Sequence, residues 1–140
     1  MTTWAQLLYW SRTNDDGYAS ETDLRDILSE ARVRNARDGI TGALLSGAGW
    51  FTQAIEGPSD AVHSLFEGIQ RDARHRDIVA LPERPVTERT FPDWSMGFAM
   101  SGESEQVELI RGHACAEPDE AAAVATLELI QQSIAKFQLW

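Results

Sequence analysis

Asn35–Pro58, NARDGITGALLSGAGWFTQAIEGP, sets two side-chain amides around an apolar β-hairpin. Gly47-Ala48-Gly49 supplies a turn between two runs of strand-forming residues, Ile40–Leu45 and Trp50–Ile55. Alternation along the second run places Phe51, Gln53 and Ile55 on one face and Trp50, Thr52 and Ala54 on the other. Gln53 therefore points where its neighbours are large and apolar. An amide buried there without hydrogen-bond partners costs ~1–3 kcal/mol, so something polar is expected over that face.

Working outward, Trp4–Ser11 reads as a first strand with Leu7, Tyr9 and Ser11 on one face and Leu8 and Trp10 on the other. Ser20, followed by Glu21, Thr22 and Asp23, is an N-terminal helix signal. Leu24, Ile27, Leu28 and Ala31 follow at helical spacing, and the helix is expected to stop by Gly39. Pro58-Ser59 starts a second helix with the stripe Val62, Leu65, Phe66 and Ile69. Ile78–Leu81 begins a fourth strand, and Trp94, Met96, Phe98 and Met100 alternate along a fifth. The order βαββαββ predicts an α+β, ferredoxin-like fold: a five-stranded mixed sheet with two helices on one face. Beyond about residue 100, Val107, Leu109 and Ile110 fit a short helix. Ala123, Leu127, Ile130, Ile134 and Phe137 form the stripe of a longer one opened by Pro118–Glu120. Residues 101–140 are expected as a helical cap on the open face of the sheet, over Leu8 and Trp10. If that stripe is exposed instead, it makes a homodimer.

A length of 140 residues fits one domain with a substantial core, and 43% apolar residues exclude a disordered chain. Asp and Glu outnumber Lys and Arg by 22 to 12, giving a net charge of −10, which opposes binding to nucleic acid or to an anionic membrane. Cys115, the single cysteine, has no internal disulfide partner, and no signal segment or long apolar run is present, so the chain is expected in the cytoplasm. His113 and Cys115 lack companions for a zinc site, and no metal is assigned.

The helix-covered face is expected to carry Tyr9 and Ser11 from the first strand, Gln53 from the third, and Trp94 and Met96 from the fifth, with Asn35 at the end of the first helix. This set contains no catalytic dyad. It suits a planar ligand with an imide-like edge, because Asn and Gln each offer a donor and an acceptor. Isoalloxazine has such an edge, and Ile27, Leu28, Phe66 and Ile69 can form a slot for its apolar end.

Five segments taken in order, LLYWSR (Leu7–Arg12), NARDGITG (Asn35–Gly42), FTQAIEGP (Phe51–Pro58), RDARH (Arg71–His75) and FPDWSMGF (Phe91–Phe98), resemble the BLUF family of blue-light sensors that use FAD. The tail resembles that of short members with no attached effector enzyme. The resemblance implies a flavin-binding domain over residues 1–100. It implies noncovalent FAD, with FMN or riboflavin as substitutes, and output through contact with an unidentified downstream protein. It implies that Tyr9 gives an electron and proton to the excited flavin, and that Gln53 links its hydroxyl to flavin N5 and the C4 carbonyl. Asn35 matches the residue at the pyrimidine edge, while Arg34 is placed to reach the C2 carbonyl or a phosphate. Asp72, Arg74 and His75 match the segment near the ribityl chain. Ile27 and Ile69 match the residues that sandwich the ring, and Trp94 and Met96 the pair that exchange places beside Gln53. Ala54 stands where some relatives carry a bulkier residue.

Structural readings compete at several positions. Tyr9 can be a core tyrosine, Trp94 and Met96 can be plain core, and His75 can cap the second helix at the negative end of its dipole. Two other functions fit the same frame. One is an acylphosphatase-like hydrolase, for which the first strand offers only Arg12 and Asn14 as an anion cradle; the other is a cofactor-free interaction module.

Overall fold

The computed structural model describes residues 3–14 and 17–140. Its elements in chain order are β1 (Trp4–Thr13), α1 (Glu21–Asp38), β2 (Thr41–Gly47), β3 (Trp50–Gly57), α2 (Ser59–Gln70), β4 (His75–Ala80), β5 (Arg84–Val86), β6 (Gly97–Met100), α3 (Glu105–Ala116) and α4 (Glu120–Phe137). α1 begins where the sequence signals it. The Ser20 side chain accepts from the Asp23 N–H, and Gly39 ends the helix at φ 72°, a left-handed conformation that glycine adopts without penalty. The hairpin closes through Ala48-Gly49, with Gly49 at φ 84°, and pairs Leu44 with Gln53 and Gly47 with Trp50.

The sheet runs β4-β1-β3-β2-β6, the ferredoxin-like order extended by one strand. β1 lies antiparallel to β3 and β4, whereas β6 lies parallel to β2, so the sheet is mixed. Two cores sit on its two faces. Leu7, Phe51, Ile55 and Phe98 meet Leu24 and Leu28 of α1 and Val62 and Leu65 of α2. On the reverse face Leu8, Trp10, Leu45, Trp50 and Ala54 meet Val107 and Ala114 of α3 and Ala123, Leu127, Ile130 and Ile134 of α4. Each such large apolar side chain stabilises by ~1.5–3 kcal/mol on full burial. A polar link crosses the second core, where Trp10 Nε1 donates to Thr126 Oγ1 at 3.0 Å. No helix among the described residues is long and apolar enough to cross a membrane.

A buried polar knot closes one end of the sheet. Glu56, with no exposed surface, accepts from the backbone N–H groups of Phe91 (2.5 Å) and Thr90 (3.0 Å), from Gln6 Nε2 (3.2 Å) and from Thr41 Oγ1 (3.4 Å). These donors satisfy a carboxylate that would otherwise be costly to bury.

The structure corrects the sequence reading in four places. The sheet has six strands, because Arg84–Val86 pairs with Trp4–Gln6; three residues containing Pro85 carry no periodicity, and proline is tolerated in such a peripheral strip. The fourth strand starts at His75 rather than Ile78. The last strand starts at Gly97 rather than Trp94, since a turn returns the Trp94 N–H to the Phe91 carbonyl and the Trp94 carbonyl accepts from Gly42 N. Phe137 is 61% exposed: α4 ends there, and the chain turns to bridge Gln138 with Ala99 of β6.

Candidate functional site

α1 and α2 leave a cleft between them over β1, β2 and β3. Its walls are Ile27, Glu30, Ala31 and Arg34 from α1, Gly68 and Ile69 from α2, and Asp72, Arg74 and His75 from the following segment. Tyr9, Leu44, Phe51 and Gln53 form the floor. The floor is set by register: Tyr9 of β1 and Leu44 of β2 both pair with Gln53 of β3, and Ser11 pairs with Phe51.

At the centre, the Tyr9 hydroxyl donates to Gln53 Oε1 at 2.6 Å, and Gln53 Nε2 faces Met96 Sδ at 3.3 Å. The Gln53 amide is thus fixed at both ends, its acceptor toward a hydroxyl and its donor toward a thioether. Burial, with the charge of Asp72 adding to it, pushes the Tyr9 phenol well above its ordinary value, so it keeps its proton.

Among the described residues, two buried polar atoms on consecutive residues of α1 have no hydrogen-bond partner. Asn35 is fully buried; its Nδ2 donates to the Ser95 carbonyl at 2.7 Å, but its Oδ1 accepts nothing, and Arg34 Nε donates to nothing. Arg34 lines the cleft, whereas Asn35, the next residue of α1, lies outside that lining; an unmet donor and an unmet acceptor are the kinds of group that an imide edge complements. The residues present therefore fit a flavin ring, with Ile27 and Ile69 as apolar walls on opposite helices.

The mouth is a charge network. Arg74 Nη2 lies 2.7 Å from Asp72 Oδ2 and 2.9 Å from Glu30 Oε2. The guanidinium hydrogen bond holds the Asp72 carboxyl below the usual carboxylate range, and the same bond raises Arg74. Arg34 and Arg74 balance Glu30 and Asp72 across the opening. His75 ties this rim to the sheet. Its Nε2 donates to the Ile69 carbonyl in the last turn of α2, and its Nδ1 lies 2.8 Å from Ser11 Oγ. Helix capping and a place in the cleft wall thus coexist in one side chain.

Other expected residues fall elsewhere. Ser11 sits behind His75, Leu28 is in the core beneath the cleft, and Phe66 packs its ring 5.8 Å from that of Tyr9. Trp94 is a correction. The turn before it sends its ring to the opposite face, stacked on Phe91 against the core under α4, so only Met96 of the pair meets Gln53. Glu30, Ala31, Leu44, Phe51 and Gly68 were missed. Helical spacing from Ile27 through Ala31 to Arg34 marks the first two, and strand alternation marks Phe51. For the hydrolase reading, Arg12 is exposed and Asn14 Nδ2 donates to the Ala73 carbonyl at 2.7 Å.

Residues 4–97 match the family model described as BLUF, sensors of blue-light using FAD. Among curated relatives, photoactivated adenylate cyclase subunit beta of Euglena gracilis is 42% identical over 55% of this chain, and subunit alpha is 44% identical over 51%. The chain spans only 9% and 7% of those two proteins. Among solved structures, BlsA in its ground state is 32% identical with a TM-score of 0.77, covering 91% of this chain and 87% of that one. The dark-state BLUF protein BlrB is 33% identical with a TM-score of 0.71, covering 96% and 97%. The family match across two thirds of the sequence, borne by a fold that pairs Tyr9 with Gln53 on the cleft floor, places the chain in the BLUF family of blue-light sensors.

Proposed function

We propose that this protein binds FAD noncovalently in the cleft between α1 and α2 and reports blue light by rearranging the Gln53 amide. The flavin supplies absorption of blue light and a transient acceptor of one electron and one proton. The observation that carries the reading is the chain of contacts from the Tyr9 hydroxyl through the Gln53 amide to Met96 Sδ.

Each residue has a distinct part. Tyr9 holds its proton and is the donor group closest to the amide. Gln53 is the switch: turned over, or converted to its imidic form, it exchanges donor for acceptor at each end while leaving the covalent bonds of the cofactor intact. Reversal brings a carbonyl against Met96 Sδ, which has no proton to give, so the thioether must lose its present contact. Asn35 and Arg34 offer their unmet atoms to the ring edge, Ile27 and Ile69 hold its faces, and Asp72, Arg74 and His75 gather the rim around the side chain of the cofactor.

Output follows the sheet. Met96 adjoins β6, which is bonded to β2 and bridged by Gln138 beyond α4, so a displaced Met96 is felt where α4 meets the sheet. The readout is contact with another protein rather than turnover, in the cytoplasm, with residues 101–140 acting as the cap that transmits it. FMN and riboflavin share the ring edge and are expected to substitute for FAD. The test is a visible spectrum before and after blue illumination. Purified protein should be yellow, and its flavin band should shift to longer wavelength in light and return in the dark; a band that stays fixed overturns the reading.

A further inference from the structure

Met96 reaches Gln53 from a segment that has no strand of its own. Between the Glu56 knot and the first residue of β6, Thr90–Met96 is held one group at a time. Glu56 takes the N–H groups of Thr90 and Phe91, Gly42 N donates to the Trp94 carbonyl at 3.1 Å, and Asn35 Nδ2 donates to the Ser95 carbonyl. The last tie is Arg32, whose Nε donates to the Met96 carbonyl at 3.0 Å.

Arg32 is placed differently from Arg34. Two residues along a helix turn the side chain by ~200°. Arg34 faces the cleft, whereas Arg32 lies in a surface depression with Arg25, Leu28, Ser29, Val33 and Trp140. Resting on the function proposed above, we infer that Arg32 is a positioning residue of the photoswitch: it fixes the Met96 backbone so that Sδ meets Gln53 Nε2, and thereby favours return to the dark arrangement. A thioether is a weak acceptor, and a displacement of about 1 Å would abolish the 3.3 Å contact. The Met96 side chain is 2% exposed and close to the carbonyl that Arg32 holds, so slack in one is slack in the other.

The experiment uses the full chain with bound flavin, following recovery after a blue flash. Arg32→Ala should lengthen the lit-state lifetime by about three- to tenfold, the effect of one net hydrogen bond on a rate. Arg32→Lys, which keeps a donor, should fall between it and wild type. In a Met96→Leu background Arg32→Ala should add nothing, because the residue acts through the sulfur. In flavin-free protein carrying 13C-methyl methionine, the Met96 methyl resonance should move in Arg32→Ala while that of Met100 stays. Arg32→Gln serves the same test if the alanine variant unfolds. Unchanged recovery with an unmoved Met96 resonance overturns the inference, as does an equal effect in the Met96→Leu background. A wild type that does not respond to light at all overturns the proposed function, and this inference with it.

Discussion

The hydroxyl of Tyr9 and the Oε1 of Gln53 lie 2.6 Å apart on directly paired residues of adjacent strands, buried on the cleft floor. Tyr9→Phe removes the hydroxyl donor and the proposed electron source, and Gln53→Leu removes the amide proposed to rearrange. Both variants should retain bound flavin, since the wall residues are untouched, and both should lose the light-induced shift. Difference spectra after blue illumination check this; a shift of wild-type size in either variant contradicts the switch.

The raised Tyr9 phenol gives a prediction at alkaline pH. Its folded-state pKa exceeds that of an unfolded tyrosine, so its contribution to stability is complete below about pH 10 and is lost as pH rises above that value. The Tyr9→Phe variant should lose less stability between pH 9 and 11 than wild type. Denaturant melts across that range, read by Trp fluorescence, compare the two.

Asn35→Ala removes a fully buried side chain that donates to the half-buried Ser95 carbonyl and should destabilise the protein by ~1–3 kcal/mol. It should also weaken flavin binding, which a leucine at Arg34 should do without a comparable loss of stability in the flavin-free chain. Urea melts with and without flavin separate the two effects.

The cap is tied to the sheet through Trp10 and Thr126. Thr126→Val strands the Trp10 indole N–H in an apolar core and should cost ~1–3 kcal/mol, with the fold retained. Deletion from Glu117 uncovers Leu8, Trp10 and Leu45 and should produce aggregation or a new oligomer, seen by light scattering. A stable, monomeric truncated protein would contradict the role of α4 as a cover.

The legibility of this chain follows the range of its interactions. Ser20, Gly39 and the Gly47–Gly49 turn act within a few residues, and alternation fixed which side of β1 and β3 carried Tyr9 and Gln53. Trp94 was misplaced because the turn at Phe91–Trp94 interrupts the alternation between it and Met96. Glu30 escaped notice as one more surface acid, its partner Arg74 being 44 residues away. The ties on Met96 were invisible for a related reason: Arg32 and Glu56 bind backbone groups, and a carbonyl or N–H looks the same whatever residue bears it.

The bridge from Gln138 to Ala99, with Leu139 N donating to the Phe98 carbonyl at 2.7 Å, occupies the outer margin of β6. An incoming peptide that sought to lengthen the sheet at that margin would first have to peel these residues away. Trp140, stacked on Phe98 at 5.3 Å and roofed by the Arg25 guanidinium at 4.1 Å, resists such peeling, so the margin behaves as a fastened hem and not as a template for fibril growth.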